Sequence, residues 1–269
     1  MYNPIQIPYI LNKTFASSIQ YTEEMIPQFL DFIICLWEMQ PISKQKSTVE
    51  NIIVADGCID LVVDYNEKQI GFAGMSKTDF NFKIYAPSYY YGVRFKPGAF
   101  YAITGIHATD VMNTFLLIKK VDQNFDVQSF FKLSFSEAKI FIKNYIRDLI
   151  QNKVPDNFTS LFDKFNDNIP LSVSEIYKII NYSPKQCQRL FYKHFGLSPQ
   201  MSLCIIRFQK CLEFLITGKT SPNDVLNTSN FYDQSHFIND FKKNIGLTPF
   251  ELVRKYEKDE FLQYNCSVK

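Results

Sequence analysis

Residues Ser183–Pro199 read SPKQCQRLFYKHFGLSP, and residues Asp233–Pro249 read DQSHFINDFKKNIGLTP. The two stretches run in register at an offset of 50 residues, with Phe191/Phe241, Lys193/Lys243, Gly196/Gly246, Leu197/Leu247 and Pro199/Pro249 in step. Each begins with a side chain able to cap a helix, runs amphipathically and stops at a glycine. The repeat predicts two similar helical units on one chain. The first consists of a helix over Val173–Ile180, a turn at Asn181-Tyr182 and a second helix from Ser183. Ser183 and Gln186 form a capping box, and Pro184 occupies the favoured first helical position. Cys187, Leu190, Phe191 and His194 fall on one side of that helix. Lys185, Gln188, Arg189, Tyr192 and Lys193 fall mostly on the other.

The second unit pairs a helix over Pro222–Asn227 with a turn at Ser229-Asn230-Phe231 and a helix from Asp233. Phe237 and Phe241 face inward. Ser235, Ile238, Asn239 and Lys242 occupy the outward face. Between the units, Phe208, Cys211, Leu212 and Leu215 step at helical spacing, which predicts a helix over Ser202–Thr217. At 1.5 Å per residue this helix is about 24 Å long, able to hold two outward helices roughly one DNA turn, ~34 Å, apart. Two helices joined by a tight turn, with a long polar face on the second, form the helix-turn-helix layout. Arg and Gln pair bidentately with guanine and adenine edges. Charge agrees with an anionic partner. Residues 171–256 carry 11 Lys/Arg against 6 Asp/Glu, whereas residues 1–170 carry 16 against 18.

At these residues the chain resembles the DNA-binding domain of AraC/XylS-type transcription regulators. QRLFYKHFGLSP, RFQKCLEFL and DQSHFINDFKKNIGLTPFE stand in the order and spacing of that family, over about Phe158–Tyr256. The resemblance implies base reading mainly by Lys185, Gln188 and Arg189, with Gln234, Ser235 and Asn239 contributing from the second unit. Tyr192, Lys193, Lys242 and Lys243 complete the implied DNA-binding set. The chain departs from the family in carrying Asn239 where Arg is usual, and Tyr177 and Leu226 where a small Ala is common. The second unit is therefore expected to position the protein while the first specifies the site. Double-stranded DNA is the implied partner, RNA polymerase another, and an activator's role is expected.

The N-terminal half reads as β-rich from about residue 30 to 130. DFIICLW, NIIVA, CIDLVVDY and YYYGVRF are short apolar runs, separated by turn signals such as Asp56-Gly57, Asn66-Glu67 and Pro97-Gly98. This predicts an antiparallel barrel or sandwich. A short helix broken by Pro27 is read over residues 22–31. Trp37, VADGCIDLVV (Val54–Val63) and GVRFKPGAF (Gly92–Phe100) resemble the cupin-like β-domain found upstream of such DNA-binding units. That resemblance implies a sensor of a small-molecule effector or a homodimerisation module. Asp56, Asp60 and Arg94 have two readings. One is an internal ion pair between strands. The other is an effector pocket in which Arg94 binds an anionic group, with Asp56 beside it and Trp37 stacking. From Ser134 to Asn152 apolar residues step by 3 and 4 behind a Ser134/Glu137 capping box, predicting a helix. It packs on its own β-domain or pairs with a second copy.

The expected fold class is α+β. Residues 1–151 form the β-rich domain ending in the amphipathic helix, 152–157 (NKVPDN) a linker, 158–256 the DNA-binding domain and 257–269 a tail. The six cysteines contain no C-x-x-C pair, and the N-terminal half has His107 as its one histidine, so metal catalysis is disfavoured. No G-x-S-x-G elbow supports a serine nucleophile, and GFAGMS (Gly71–Ser76) lacks the spacing of a nucleotide loop. A non-enzymatic protein without cofactor or metal is expected. Two alternatives keep other classes open: a catalytic β-domain delivered to DNA, and a β-domain that serves only assembly. No apolar run of 18 residues or secretory leader is read, so a cytoplasmic protein with no membrane association is expected.

Overall fold

The computed structural model describes residues 1–4, 17–42, 47–75 and 80–216, together with 238, 239, 242, 248 and 251. Strands β1 (Ile19–Glu24), β2 (Ile33–Pro41), β4 (Ile59–Asp64), β5 (Gln69–Ala73), β7 (Tyr90–Phe95) and β8 (Phe115–Leu117) build an antiparallel six-stranded sheet in the order β1-β2-β7-β4-β5-β8. Strands β3 (Ser47–Ile53) and β6 (Phe80–Ala86) form a separate antiparallel pair. The predicted α+β class stands, and each apolar run read from the sequence overlaps a strand. β1 corrects the expectation of a helix over residues 22–31. Its alternating buried and exposed side chains give it a period of two. Pro27 starts only a three-residue 3-10 turn, Pro27–Phe29.

The central strand β7 is buried along its whole length. Gly92 of β7 lies opposite Trp37 of β2, and a Cβ at Gly92 would sit 2.0 Å from the indole. Only glycine lets the indole lie flat against the strand here. Behind Pro97-Gly98, read only as a turn, the chain forms the short helix α1 (Ala99–Thr104). A 3-10 turn at Ala108–Asp110 follows, and then the four-residue helix α2 (Val127–Phe130).

Helix α3 (Phe135–Ile150) begins at the expected Ser134/Glu137 capping box. Ala138, Ile142, Ile146 and Ile150 form its buried stripe. Lys139 pairs with Glu38 of β2 at 2.6 Å and Lys143 with Glu24 of β1 at 2.8 Å. These contacts lay the helix on its own sheet, as the first of the two sequence readings had it. Ile140 and Phe141 remain exposed on the outer side.

Residues 151–160 carry neither helix nor strand. Helices α4 (Leu161–Asp167), α5 (Val173–Ile180), α6 (Pro184–Phe195) and α7 (Pro199–Ile216) follow. The sequence reading started α7 at Ser202. The structure starts it at Pro199, another proline in a first turn, where its missing N–H goes unneeded. Among the described residues no helix is long and apolar enough to cross a membrane. The described cysteines Cys35, Cys58, Cys187, Cys204 and Cys211 form no disulfide with one another, and four of them are buried.

One apolar core runs through both halves. Phe158, Phe162, Phe191, Phe195 and Leu197 belong to the same buried cluster as Phe72, Phe95 and Phe100 of the β-rich part. Polar contacts cross the same boundary. Lys96, at the end of β7, pairs with Asp163 of α4 at 2.8 Å, and the Tyr2 amide donates to the same carboxylate at 2.6 Å. The Tyr2 hydroxyl donates to the Asp56 carbonyl at 2.8 Å, and its ring meets Phe162 edge-on. From α7, the Gln209 amide donates to the Ala55 carbonyl at 3.0 Å. Buried polar groups satisfied across a boundary fix one mutual geometry, because each would be costly to leave unpaired.

Candidate nucleic-acid interface

The helix pair α5–α6 is built by local sequence signals. Ser172 caps α5 by accepting from the Glu175 amide at 3.3 Å. Asn181 ends the helix in the left-handed region, φ 54° and ψ 45°, which asparagine tolerates better than most residues. Ser183 and Gln186 complete the expected capping box at the start of α6, and Pro184 stands in its first turn. At the other end Gly196 takes φ 68°. A Cβ there would lie 2.9 Å from the Met75 sulfur and 3.0 Å from the Ala108 carbonyl oxygen, so both conformation and space demand glycine. Arg207 of α7 donates to the Pro170 and Leu171 carbonyls at 2.9 and 2.8 Å, tying the entry of α5 to α7.

The two sides of α6 differ as the sequence predicted. Cys187, Phe191, His194 and Phe195 are buried. Lys185, Gln188, Arg189 and Tyr192 are exposed, at the i, i+3, i+4, i+7 spacing of one helix face. The helix contains no aspartate or glutamate, so this face offers two cations, an amide and a phenol with no carboxylate among them. Lys193 departs from that face. It is half-buried, and its Nζ sits 4.5 Å from the centre of the Tyr101 ring of α1. Its charge is directed to the β-rich part.

The second unit lies mostly outside the described residues. Gln234, Ser235 and Lys243 are among those outside, as are Phe237, Phe241 and the turn at Ser229-Asn230-Phe231. Ile238, Asn239 and Lys242 are helical, with Ile238 half-buried and Asn239 and Lys242 exposed. Leu226 also lies outside. Tyr177, the other bulky departure from the family pattern, is half-buried on α5.

In the β-rich part, Trp37, Asp56, Asp60 and Arg94 come together with Glu23, a residue the sequence reading had not singled out. Arg94 pairs with Glu23 at 3.2 Å, with Asp60 at 3.4 Å and with Asp56 at 3.7 Å. The Trp37 indole N–H donates to Asp60 at 2.8 Å. Burial pushes the Asp60 carboxyl up to about 6, against the pull of Arg94. Burial alone would lower the Arg94 guanidinium, but its anionic neighbours, Asp60 foremost, hold its proton more tightly than usual. Of the two sequence readings, the internal ion pair describes this arrangement. A ligand anion at Arg94 would have to displace one of three carboxylates already there. Among the described residues no group of histidine, cysteine and carboxylate side chains has the arrangement of a metal site.

Residues 176–255 match a family model described as a helix-turn-helix domain, and the span begins within α5 and contains all of α6. The C-terminal part of the chain is a helix-turn-helix domain, in keeping with its resemblance to AraC/XylS-type regulators. Residues 26–116 match a second model, described as a domain of unknown function, DUF6597. Over 167 residues the chain is 25% identical to the lactose operon transcription activator of Staphylococcus xylosus, covering 56% of this chain and 57% of that protein. It is 23% identical over 138 residues to the uncharacterized HTH-type transcriptional regulator YtdP of Bacillus subtilis (strain 168), covering 48% of this chain and 17% of that protein. The chain thus spans little more than half of one curated relative and a small part of the other. Solved structures of ToxT from Vibrio cholerae align at TM-scores of 0.40 to 0.41. One covers 88% of this chain and 98% of its own at 11% identity. A second, with unsaturated fatty acid bound, covers 94% and 97% at 12% identity. Within the matched span, α6 is the second helix of the first helix pair.

Proposed function

We propose that the protein is a sequence-specific, DNA-binding transcription regulator that seats two recognition helices in successive major-groove segments. The observation that carries the reading is the division of α6 into a buried apolar side and a solvated face of Lys185, Gln188, Arg189 and Tyr192. Arg189 and Gln188 have the donor geometry for base edges, and Lys185 suits a phosphate. Gln234, Ser235, Asn239, Lys242 and Lys243 take the corresponding roles in the second unit. Residues 158–256 form the DNA-binding part and residues 1–151 the controlling part, joined by 152–157. Control by a small-molecule effector or by homodimerisation, contact with RNA polymerase, and a non-enzymatic cytoplasmic role complete the proposal. The staphylococcal relative's name supports activation as the direction of control.

A mobility-shift titration on DNA upstream of the protein's own gene tests the reading. Binding should weaken steeply as salt rises and should discriminate against scrambled DNA. Arg189→Ala should lose roughly 1–3 kcal/mol of specific binding. Binding indifferent to salt and sequence would remove it.

A further inference from the structure

The C-terminal end of α6 rests on the β-rich part. Tyr101 of α1 is the centre of this seam. Its ring meets His194 edge-on at 4.6 Å and His107 at 5.7 Å, and Lys193 lies over it at 4.5 Å. On the far side His194 stacks on Phe158 at 4.1 Å. Two residues further on, Gly196 closes against the Ala108 carbonyl. Three contacts within four residues, at 193, 194 and 196, therefore fix both the rotation and the tilt of α6 against a surface that belongs to the other half of the protein.

A helix of 12 residues is a rigid rod about 18 Å long. Lys193 stands one turn from Arg189 and two turns from Lys185. A change of tilt at the seam is therefore delivered to the base-reading face, where a displacement of 1 Å spoils a bidentate contact. The sequence places Lys193 among the DNA contacts, but the geometry spends its charge on the Tyr101 ring.

We infer that Tyr101 is a positioning residue for base reading: held against Lys193 and His194, it sets the pose of Gln188 and Arg189 without touching DNA. The inference rests on the proposed function. It also supplies a direct physical route by which the state of the β-rich part reaches the recognition helix, since any coupling between two sites works in both directions.

The test uses the full chain and a DNA site selected from random sequence by the wild-type protein. The readout is the ratio of affinity for that site to affinity for a scrambled fragment, at one salt concentration. Tyr101→Ala should lower the ratio about tenfold. Tyr101→Phe, which keeps the ring, should hold it within about twofold. Partial unfolding lowers both affinities alike and leaves the ratio in place, so it cannot imitate the expected result. A Tyr101→Ala ratio equal to wild type, beside a collapsed ratio for Arg189→Ala, overturns this inference alone. A wild-type protein with no discrimination overturns the DNA-reading proposal, and this inference with it.

Discussion

The imidazole of His194 stacks on the ring of Phe158 at 4.1 Å and 20° between planes, with Asp156 at 3.5 Å from its Nδ1. Burial lowers this histidine to about 4, opposed by Asp156 and assisted by Lys193 and His107. A depressed histidine contributes stability that is present above its unfolded value, about 6.5, and is lost as pH falls toward 4. His194→Phe keeps a stacked ring without the proton site. It should reduce the loss of stability between pH 6.5 and 4, measured by urea unfolding at steps across that window. An unchanged pH profile would show that His194 is not the titrating group.

Asp60 acts in the opposite sense over an overlapping window. Its carboxyl is raised to about 6, so the folded state takes up a proton that the unfolded chain, near 3.9, releases. The stability it contributes is fully present below the unfolded value and lost as pH rises through 6. Asp60→Asn should therefore steepen the acid destabilisation between pH 6 and 4, because it removes the opposing group. The comparison of Asp60→Asn with His194→Phe and the double variant checks that the two slopes are independent.

Gly92→Val tests the flat packing of Trp37 on β7. A Cβ would overlap the indole at 2.0 Å, so strand or ring must move. The expected cost is at least ~2 kcal/mol, seen as a lower urea midpoint. A neutral substitution would mean that the indole has another place to go.

Ser183→Ala removes the cap that starts α6. The Ser183 oxygen accepts from the Gln186 amide, and the Gln186 side chain accepts from the Ser183 amide. The loss should be about 1 kcal/mol in unfolding free energy. Specific DNA binding should suffer far less than with Arg189→Ala, because the exposed side chains remain.

The two reading units are expected to be unequal. Arg189→Ala should cost roughly 1–3 kcal/mol of specific binding, whereas Asn239→Ala, at the matching place in the second unit, should cost less than about 1 kcal/mol. Equal sensitivity in the two half-sites of a DNA footprint would contradict this.

Signals confined to a few neighbouring residues were readable. The Ser134/Glu137 and Ser183/Gln186 boxes, the turn at Asn181 and the stop at Gly196 all sit where short-range rules put them. The misreadings came where a local cue was partial. Pro27 drew attention to a helix, while the alternation of Ile19 and Tyr21 with Gln20 and Thr22 was the signal for β1. The turn at Pro97-Gly98 hid α1 because six residues are too few to show a helical period. The surroundings of Lys193 and Glu23 are not legible in the sequence. An amphipathic pattern says which side of a helix is buried, but not against what. Only the approach of α1 to α6 turns Lys193 away from the solvated face, and only strand pairing brings Glu23 to Arg94.

The core shared by Phe95, Phe100, Phe158 and Phe195 bears on engineering. A chimaera that exchanged the helical part as a portable cassette would be cut at residues 152–157. A cut near residue 157 in this chain would bare Phe158, Phe162, Phe195 and Leu197 to water and strand Asp163 without Lys96. A graft made there inherits a surface shaped for one host. Gln209 of α7 also reaches Ala55, and Leu203, Ile205 and Ile206 join the same core, so the shared surface continues past α6 and the first helix pair travels with the β-rich part.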